Sequence, residues 1–151
     1  MQSRSITESI TIADQPSAED LSALPGEGYV AVVNLRQAGE PEQPLSPEAE
    51  GQLVRSLGLD YLHVPIGGGR PLGEQGADAV ARFLDDHPDG RVLVHCRKGA
   101  RAAALVLVRE ARARGWGAQE AIVKGREMGL FVDGGLLALV VHELSSPPSG
   151  S

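Results

Sequence analysis

Arg91-Val92-Leu93-Val94-His95-Cys96-Arg97-Lys98-Gly99-Ala100-Arg101-Ala102 is the stretch whose reading decides the fold. Residues 92–94 form a short apolar run that predicts a buried strand, and the run ends at the one cysteine of the chain. A turn through Gly99 follows, and a long helical pattern opens near Ala100. In a strand–cysteine–loop–helix unit, loop amides and the positive end of the helix dipole converge on one point and favour an anion there. The same field favours thiolate over thiol. Arg97, Lys98 and Arg101 add positive charge to a chain whose formal net charge is −6. This predicts a nucleophilic cysteine in an oxyanion cradle. The competing reading is a structural cysteine buried at a strand end.

Outward from this unit the pattern alternates. Residues 6–12 alternate as a strand with one buried side, and residues 29–35 and 61–66 are further strands. Ser17-Ala18-Glu19-Asp20 has the form of a capping box, and Ser46-Pro47 opens a helix that Gly58 closes. Residues 72–87, 100–114, 118–128 and 134–144 carry helical patterns, with residues 102–108 apolar all round and so expected to be buried. Arg109, Arg112 and Arg114 read as a solvated helix face, and Asp133 reads as an N-cap. Strands alternating with helices predict an α/β fold in three layers. Its mostly parallel central sheet of four to five strands is flanked by helices through right-handed crossovers. Ligands then bind beyond the carboxyl ends of the strands, where Cys96 falls. The expected organisation is a single domain over residues 1–144 and a disordered Ser/Pro/Gly tail over residues 145–151.

An acidic chain with 3% aromatic residues argues against a nucleic-acid surface. No apolar run approaches the ~20 residues of a membrane span, and the polar opening residues lack a secretory pattern. With a lone cysteine, these features lead to the expectation of a cytoplasmic protein. His63, His87 and His142 have no metal-ligand spacing, so no metal is expected. His63 reads as a hydrogen-bonded structural residue and His87 as a helix end. Arg36, at the end of a strand on the Cys96 edge, either points at a ligand or pairs with Glu40, the pairing being favoured. Arg70 reads as an exposed arginine.

Four fragments in order carry a resemblance: residues 15–21 (QPSAEDL), 33–36 (VNLR), 58–65 (GLDYLHVP) and the Cys96 loop. They resemble the dual-specificity type of cysteine-dependent protein phosphatase. More closely they resemble the bacterial beta-lactamase-hydrolase-like phosphatases, whose fold is protein tyrosine phosphatase-like. The resemblance implies that Cys96 attacks phosphorus to form a phosphocysteine and that Arg101 binds two equatorial oxygens. It further implies that the loop from Arg97 through Lys98, Gly99 and Ala100 to Arg101 stabilises the transferring group through its amides, and that His95 orients the loop. No cofactor is implied. The expected ligand is a phosphorylated small molecule or phosphoprotein, with phosphate or sulfate as simple oxyanions for the loop.

Three departures bear on the reaction. Four residues separate Cys96 from Arg101, where the common phosphatase loop has five and many rhodanese sulfurtransferases have four. Ala102 stands where that pattern has a hydroxyl. The run Gly67-Gly68-Gly69-Arg70 stands where a general-acid aspartate is expected, leaving Glu74, and beyond it Asp78, as the nearest downstream carboxylates. Glu74 is the candidate acid, against a reading as a first-turn residue suited to the dipole; Asp78 reads as part of a solvated face. Phosphate-monoester hydrolysis leads, with persulfide-based sulfur transfer and a non-catalytic anion-binding module as alternatives.

Overall fold

The computed structural model describes residues 1–67 and 74–145, without the side chains of Glu74 and Gln75. Its five strands are β1 (Ser3–Ser5), β2 (Ile10–Ala13), β3 (Tyr29–Asn34), β4 (Asp60–His63) and β5 (Arg91–His95). They form one sheet in the order β1-β2-β5-β3-β4. β1 runs antiparallel to β2, and every other pairing is parallel. The register sets Ala13 and Asn34 on either side of His95, so the carboxyl ends of the three central strands share one edge. Cys96 is the next residue beyond that edge.

Six helices cover the two faces: α1 (Ala18–Ala23), α2 (Pro47–Ser56), α3 (Glu74–Asp85), α4 (Ala100–Arg114), α5 (Ala118–Met128) and α6 (Gly134–Leu144). Val92 and Val94 of β5 join Ile10, Ile12, Ala31 and Val33 in a core shared with α4, while Leu93 and Val32 face the opposite cluster with Leu21, Leu24 and Val54. Burial on both faces explains why β3 and β5 are nearly all apolar. Residues 102–108 of α4 are all buried, as their composition requires. Leu105 and Leu107 each contribute roughly 1.5–3 kcal/mol of transfer free energy there. The capping box holds: Ser17 Oγ accepts from the Asp20 amide at 3.0 Å, and Asp20 accepts from the Ser17 amide at 2.9 Å. Ser46 caps α2 through the Ala49 amide at 3.1 Å. Asp133 occupies the N-cap position of α6 but makes no side-chain capping bond.

The structure corrects four expectations. The stretch 6–12 is not one strand. The Thr7 hydroxyl accepts from the amides of Ser9 and Ile10 at 3.2 and 3.0 Å, which turns the chain between β1 and β2. β2 is then buried along its whole length between β1 and β5, with no exposed side. The strand expected over residues 61–66 ends at His63. Val64 and Ile66 still donate to the β3 side at 3.0 Å each, but Pro65 has no N–H and breaks the ladder between them.

Of the three arginines expected on a solvated face, Arg114 is exposed but Arg109 and Arg112 are not. Arg112 lies between Asp78 of α3 at 2.9 Å and Glu143 of α6 at 3.2 Å, and Arg109 reaches Asp85 at 2.8 Å. Buried Glu110 holds Arg109 at 3.0 Å and Arg114 at 2.9 Å. Asp78 is therefore a buried partner of Arg112 and not a solvated residue. The inward face of α4 continues past Val108 between α3 and α6, and its charges replace apolar packing there. Gly68 to Gly73, with Arg70, and residues 146–151 lie outside the described residues, as does the greater part of the expected tail.

Candidate active site

Neighbouring strands pin the loop after β5 from both sides. The Cys96 amide donates to Ala13 O at 3.3 Å, the Gln15 amide to Arg97 O at 3.2 Å and the Leu35 amide to His95 O at 3.0 Å. Gly99 then reverses the chain with φ +97°, a left-handed conformation that a side chain disfavours. Its N–H donates to Cys96 Sγ at 3.1 Å. Its carbonyl accepts from Ala103 at 3.0 Å and so starts α4. Cys96 is only 1% exposed, but its sulfur faces a loop amide and the Arg101 guanidinium, not the apolar interior alone. The thiol forms the floor of the loop.

Arg101, in the first turn of α4, is held by its terminal nitrogens. Nη1 donates to Glu40 Oε2 at 2.8 Å and to Ile66 O at 2.7 Å, and Nη2 donates to Glu40 Oε1 at 2.8 Å. Glu40 foremost, and then the nearby Cys96 sulfur, raise the Arg101 pKa against the cost of burial. In return Arg101, followed by the Gln37 amide and Arg36, lowers Glu40 to about 2 despite its partial burial. Glu40 is thus a fixed anion near neutral pH and not a proton donor.

Arg36 pairs with Glu40 as favoured from the sequence, Nε to Oε1 at 3.1 Å. It is wholly buried. Nη1 donates to Gln15 Oε1 at 2.8 Å and Glu42 O at 3.1 Å, and Nη2 donates to Pro41 O.

His95 is equally buried. Its Nε2 meets Glu50 Oε2 at 2.8 Å, and its Nδ1 faces Cys96 O at 3.3 Å. Glu50 also accepts from Tyr61 OH at 3.1 Å and Gln15 Nε2 at 3.2 Å. Burial, the largest single influence, pushes the Glu50 carboxyl up, but the bonds from His95, Gln15 and Tyr61 together outweigh it and lower the pKa. Burial, and then Glu50, raise Tyr61, so its hydroxyl stays protonated. Asn34 completes the cluster, donating to Tyr61 OH at 3.0 Å and accepting the Arg36 amide at 2.9 Å. His63 Nε2 meets Arg36 O at 2.5 Å, and His87 lies between Phe83 O at 2.7 Å and Asp60 at 2.8 Å, so both are hydrogen-bonded structural residues.

The remaining residues singled out from the sequence divide. Arg97 turns outward to Glu42 at 2.6 Å. Lys98, with Gly99 and Ala100, borders a separate groove of about 380 Å³ that also involves Arg4, Asp14 and Phe131, and neither Cys96 nor Arg101 lines it. Glu74 opens α3, but its side chain lies outside the described residues. Gly67, where the described chain breaks off before residue 68, would place a Cβ 3.6 Å from Arg101 Nη1. Sequence reading missed Glu40 as a partner of Arg101 and Glu50 as a partner of His95. The signal for Glu40 was its place just past the carboxyl end of β3, on the Cys96 edge. Among the described residues, no three His, Cys, Asp or Glu side chains group as metal ligands, and no helix is long and apolar enough to cross a membrane.

Comparison with known proteins bears on the family and the fold. Residues 2–113 match the family model described as beta-lactamase hydrolase-like protein, phosphatase-like domain. A beta-lactamase hydrolase-like protein of Xylella fastidiosa is 36% identical over 106 residues, which is 70% of this chain and 24% of that protein. One from Agrobacterium fabrum is 32% identical over 112 residues, covering 74% of this chain and 25% of its own length. The chain thus spans about a quarter of the length of these relatives. The crystal structure of Tk-PTP in its active form superposes with a TM-score of 0.76 at 21% identity, covering 94% of this chain and 95% of that one. The fold is protein tyrosine phosphatase-like.

Proposed function

Because the chain belongs to the family of phosphatase-like domains found in beta-lactamase hydrolase-like proteins, we propose that it hydrolyses phosphate monoesters through a phosphocysteine on Cys96. The observation that carries this reading is the 3.1 Å bond from the Gly99 amide to Cys96 Sγ, with the Arg101 guanidinium beside the same sulfur. In the first step the Sγ thiolate attacks phosphorus, forming an S–P bond as the ester P–O bond breaks, and the departing oxyanion takes its proton from water. In the second step water attacks phosphorus, the S–P bond breaks and inorganic phosphate leaves. Loop amides and guanidinium stabilise the charge on the transferring group, which is most of what phosphoryl transfer asks of a protein.

Glu40 cannot supply the proton to the leaving oxygen, and among the described residues no other carboxylate is bonded to the Cys96–Arg101 pair. Ala102, wholly buried, offers no hydroxyl to the sulfur as it leaves phosphorus. Both features support slow, leaving-group-dependent turnover. With the four-residue loop they also favour a second reading, sulfur transfer through a Cys96 persulfide, which needs no acid. Aryl phosphate and thiosulfate assayed side by side with wild type and Cys96→Ser decide. Phosphate release that disappears in Cys96→Ser supports hydrolysis. Equal release by both proteins ends this reading, and thiosulfate-to-cyanide transfer alone establishes the second.

A further inference from the structure

The groove of about 380 Å³ beside the cysteine loop has no part in the chemistry assigned to Cys96 and Arg101, yet it shares a wall with it. Gly99, whose N–H donates to Cys96 Sγ, lines the groove with its neighbours Lys98 and Ala100. Arg4 of β1 lines it as well, together with Gly129 and Phe131 from the connection between α5 and α6. Those last two residues lie beyond residues 2–113, which match the family model, so family membership does not supply this groove. In the sheet β1 stands two strands from β5, with Ser3 beside Ala13 and Ala13 beside His95. The usual spacing of neighbouring strands puts Ser3 about 10 Å from His95. The groove therefore reaches from the cysteine loop across to the β1 edge. Its volume is that of a small-molecule site.

Two cations line this groove, and among the described residues neither Arg4 nor Lys98 makes a hydrogen bond or an ion pair. Arg4 is fixed in another way. Its guanidinium lies 5.3 Å from the centroid of the Phe131 ring, and a Cβ on Gly129 would come within 2.7 Å of Arg4 Cδ, so the glycine makes room for the stem. A guanidinium held by its face keeps its five N–H donors on the free edge. Exposed Lys98 brings three more. Glu42 feels the charge of Lys98 but bonds to Arg97. The carboxylate in the groove, Asp14, is half-buried and accepts the Gln2 amide at 2.7 Å. Two cations thus face one anion, in a chain whose formal net charge is −6. We propose that this groove binds a second phosphoryl group of the substrate, so that the preferred substrate is a small-molecule bisphosphate. One phosphoryl group sits over Cys96 and the other between Arg4 and Lys98, where an arginine fork matches two phosphate oxygens and the ammonium adds a point charge.

This inference deepens the phosphoryl-transfer reading and rests on it for which phosphoryl group reacts, but binding in the groove can be measured without turnover. The probes are bisphosphates of α,ω-alkanediols, from propanediol through octanediol, each paired with the monophosphate of the same diol. They are titrated calorimetrically into Cys96→Ser protein, which cannot form the phosphocysteine, and into the same protein carrying Arg4→Ala or Lys98→Ala. The quantity read is the ratio of the two dissociation constants at each chain length, because a variant that merely loosens the fold weakens both ligands alike. The ratio is expected to reach at least about tenfold in favour of the bisphosphate, with a maximum at the chain lengths that match the span between the two sites. It should fall severalfold in either variant. Three results overturn the inference: a ratio of about two at every length, which two equivalent phosphoryl groups give by statistics alone, a ratio that neither variant lowers, or no binding of either ligand. A bisphosphate preference without aryl phosphate hydrolysis by wild type would remove the phosphatase reading and leave the groove standing as an anion site. Hydrolysis without the preference would do the reverse.

Discussion

Glu50→Gln tests the buried cluster beneath the cysteine loop. The carboxylate is 1% exposed and accepts from His95 at 2.8 Å, Tyr61 at 3.1 Å and Gln15 at 3.2 Å. An amide fills the same space but presents one acceptor oxygen and an NH2 group. The NH2 must face either Gln15 Nε2, on the Oε1 side, or His95 Nε2 and Tyr61 OH together, on the Oε2 side, and it meets donors on both. At least one of three bonds to a charged group is lost, about 1.5–3 kcal/mol, and a buried donor is left facing another donor. Removing one partner of a buried ion pair costs roughly 3–5 kcal/mol, an upper bound here because the amide keeps part of the bonding. The expected loss is therefore about 2–4 kcal/mol, or on the order of 4–16 °C in midpoint for a chain of this size. Urea unfolding of wild type, Glu50→Gln, His95→Asn and the double variant measures it. The cycle should show coupling of at least ~1 kcal/mol between the two positions. A Glu50→Gln protein within about 0.5 kcal/mol of wild type, a typical neutral surface change, would refute the reasoning.

Two further predictions follow from the same geometry. With Glu40 ionised near neutral pH, aryl phosphates with good leaving groups should be hydrolysed faster than alkyl phosphates by about 10²–10⁴-fold in kcat/KM, the contribution of a missing general acid. Equal rates across a leaving-group series would mean that a proton donor operates. Glu40 and Glu50 both have folded pKa values below their unfolded ones. Their contribution to stability is then fully present above about pH 4.5 and lost as pH falls through the folded values, toward about 2 for Glu40. Acid unfolding of Glu40→Gln should show a shallower loss of stability over that window than wild type, and an unchanged slope would contradict the assignment.

The central unit was legible because its signals are local. A strand's apolar run, a left-handed glycine and a helix start lie within twelve consecutive residues, and β5, Cys96, Gly99 and α4 fall where those signals put them. The caps at Ser17 and Ser46 are equally local. The β1–β2 turn was missed because the Thr7 hydroxyl competes with the ladder inside an alternating pattern, and alternation alone cannot show which hydroxyl turns back. The Arg36–Glu40 pair spans one i,i+4 step and could be read. The Arg101–Glu40 pair joins residues 61 apart and exists only once β3 and β5 are adjacent in the sheet. Glu50 meets His95, and Tyr61 and Gln15 meet Glu50, for the same reason. Arg97 shows the converse, since it is next to Cys96 in sequence yet its guanidinium pairs with Glu42.

The most direct test of the account is to mix the protein with an excess of aryl phosphate, quench in acid during turnover and locate the modification by mass spectrometry. The account predicts one phosphoryl group on Cys96, absent from Cys96→Ser. An unmodified Cys96 in a protein that is releasing phosphate, or a phosphoryl group on any other residue, would contradict it.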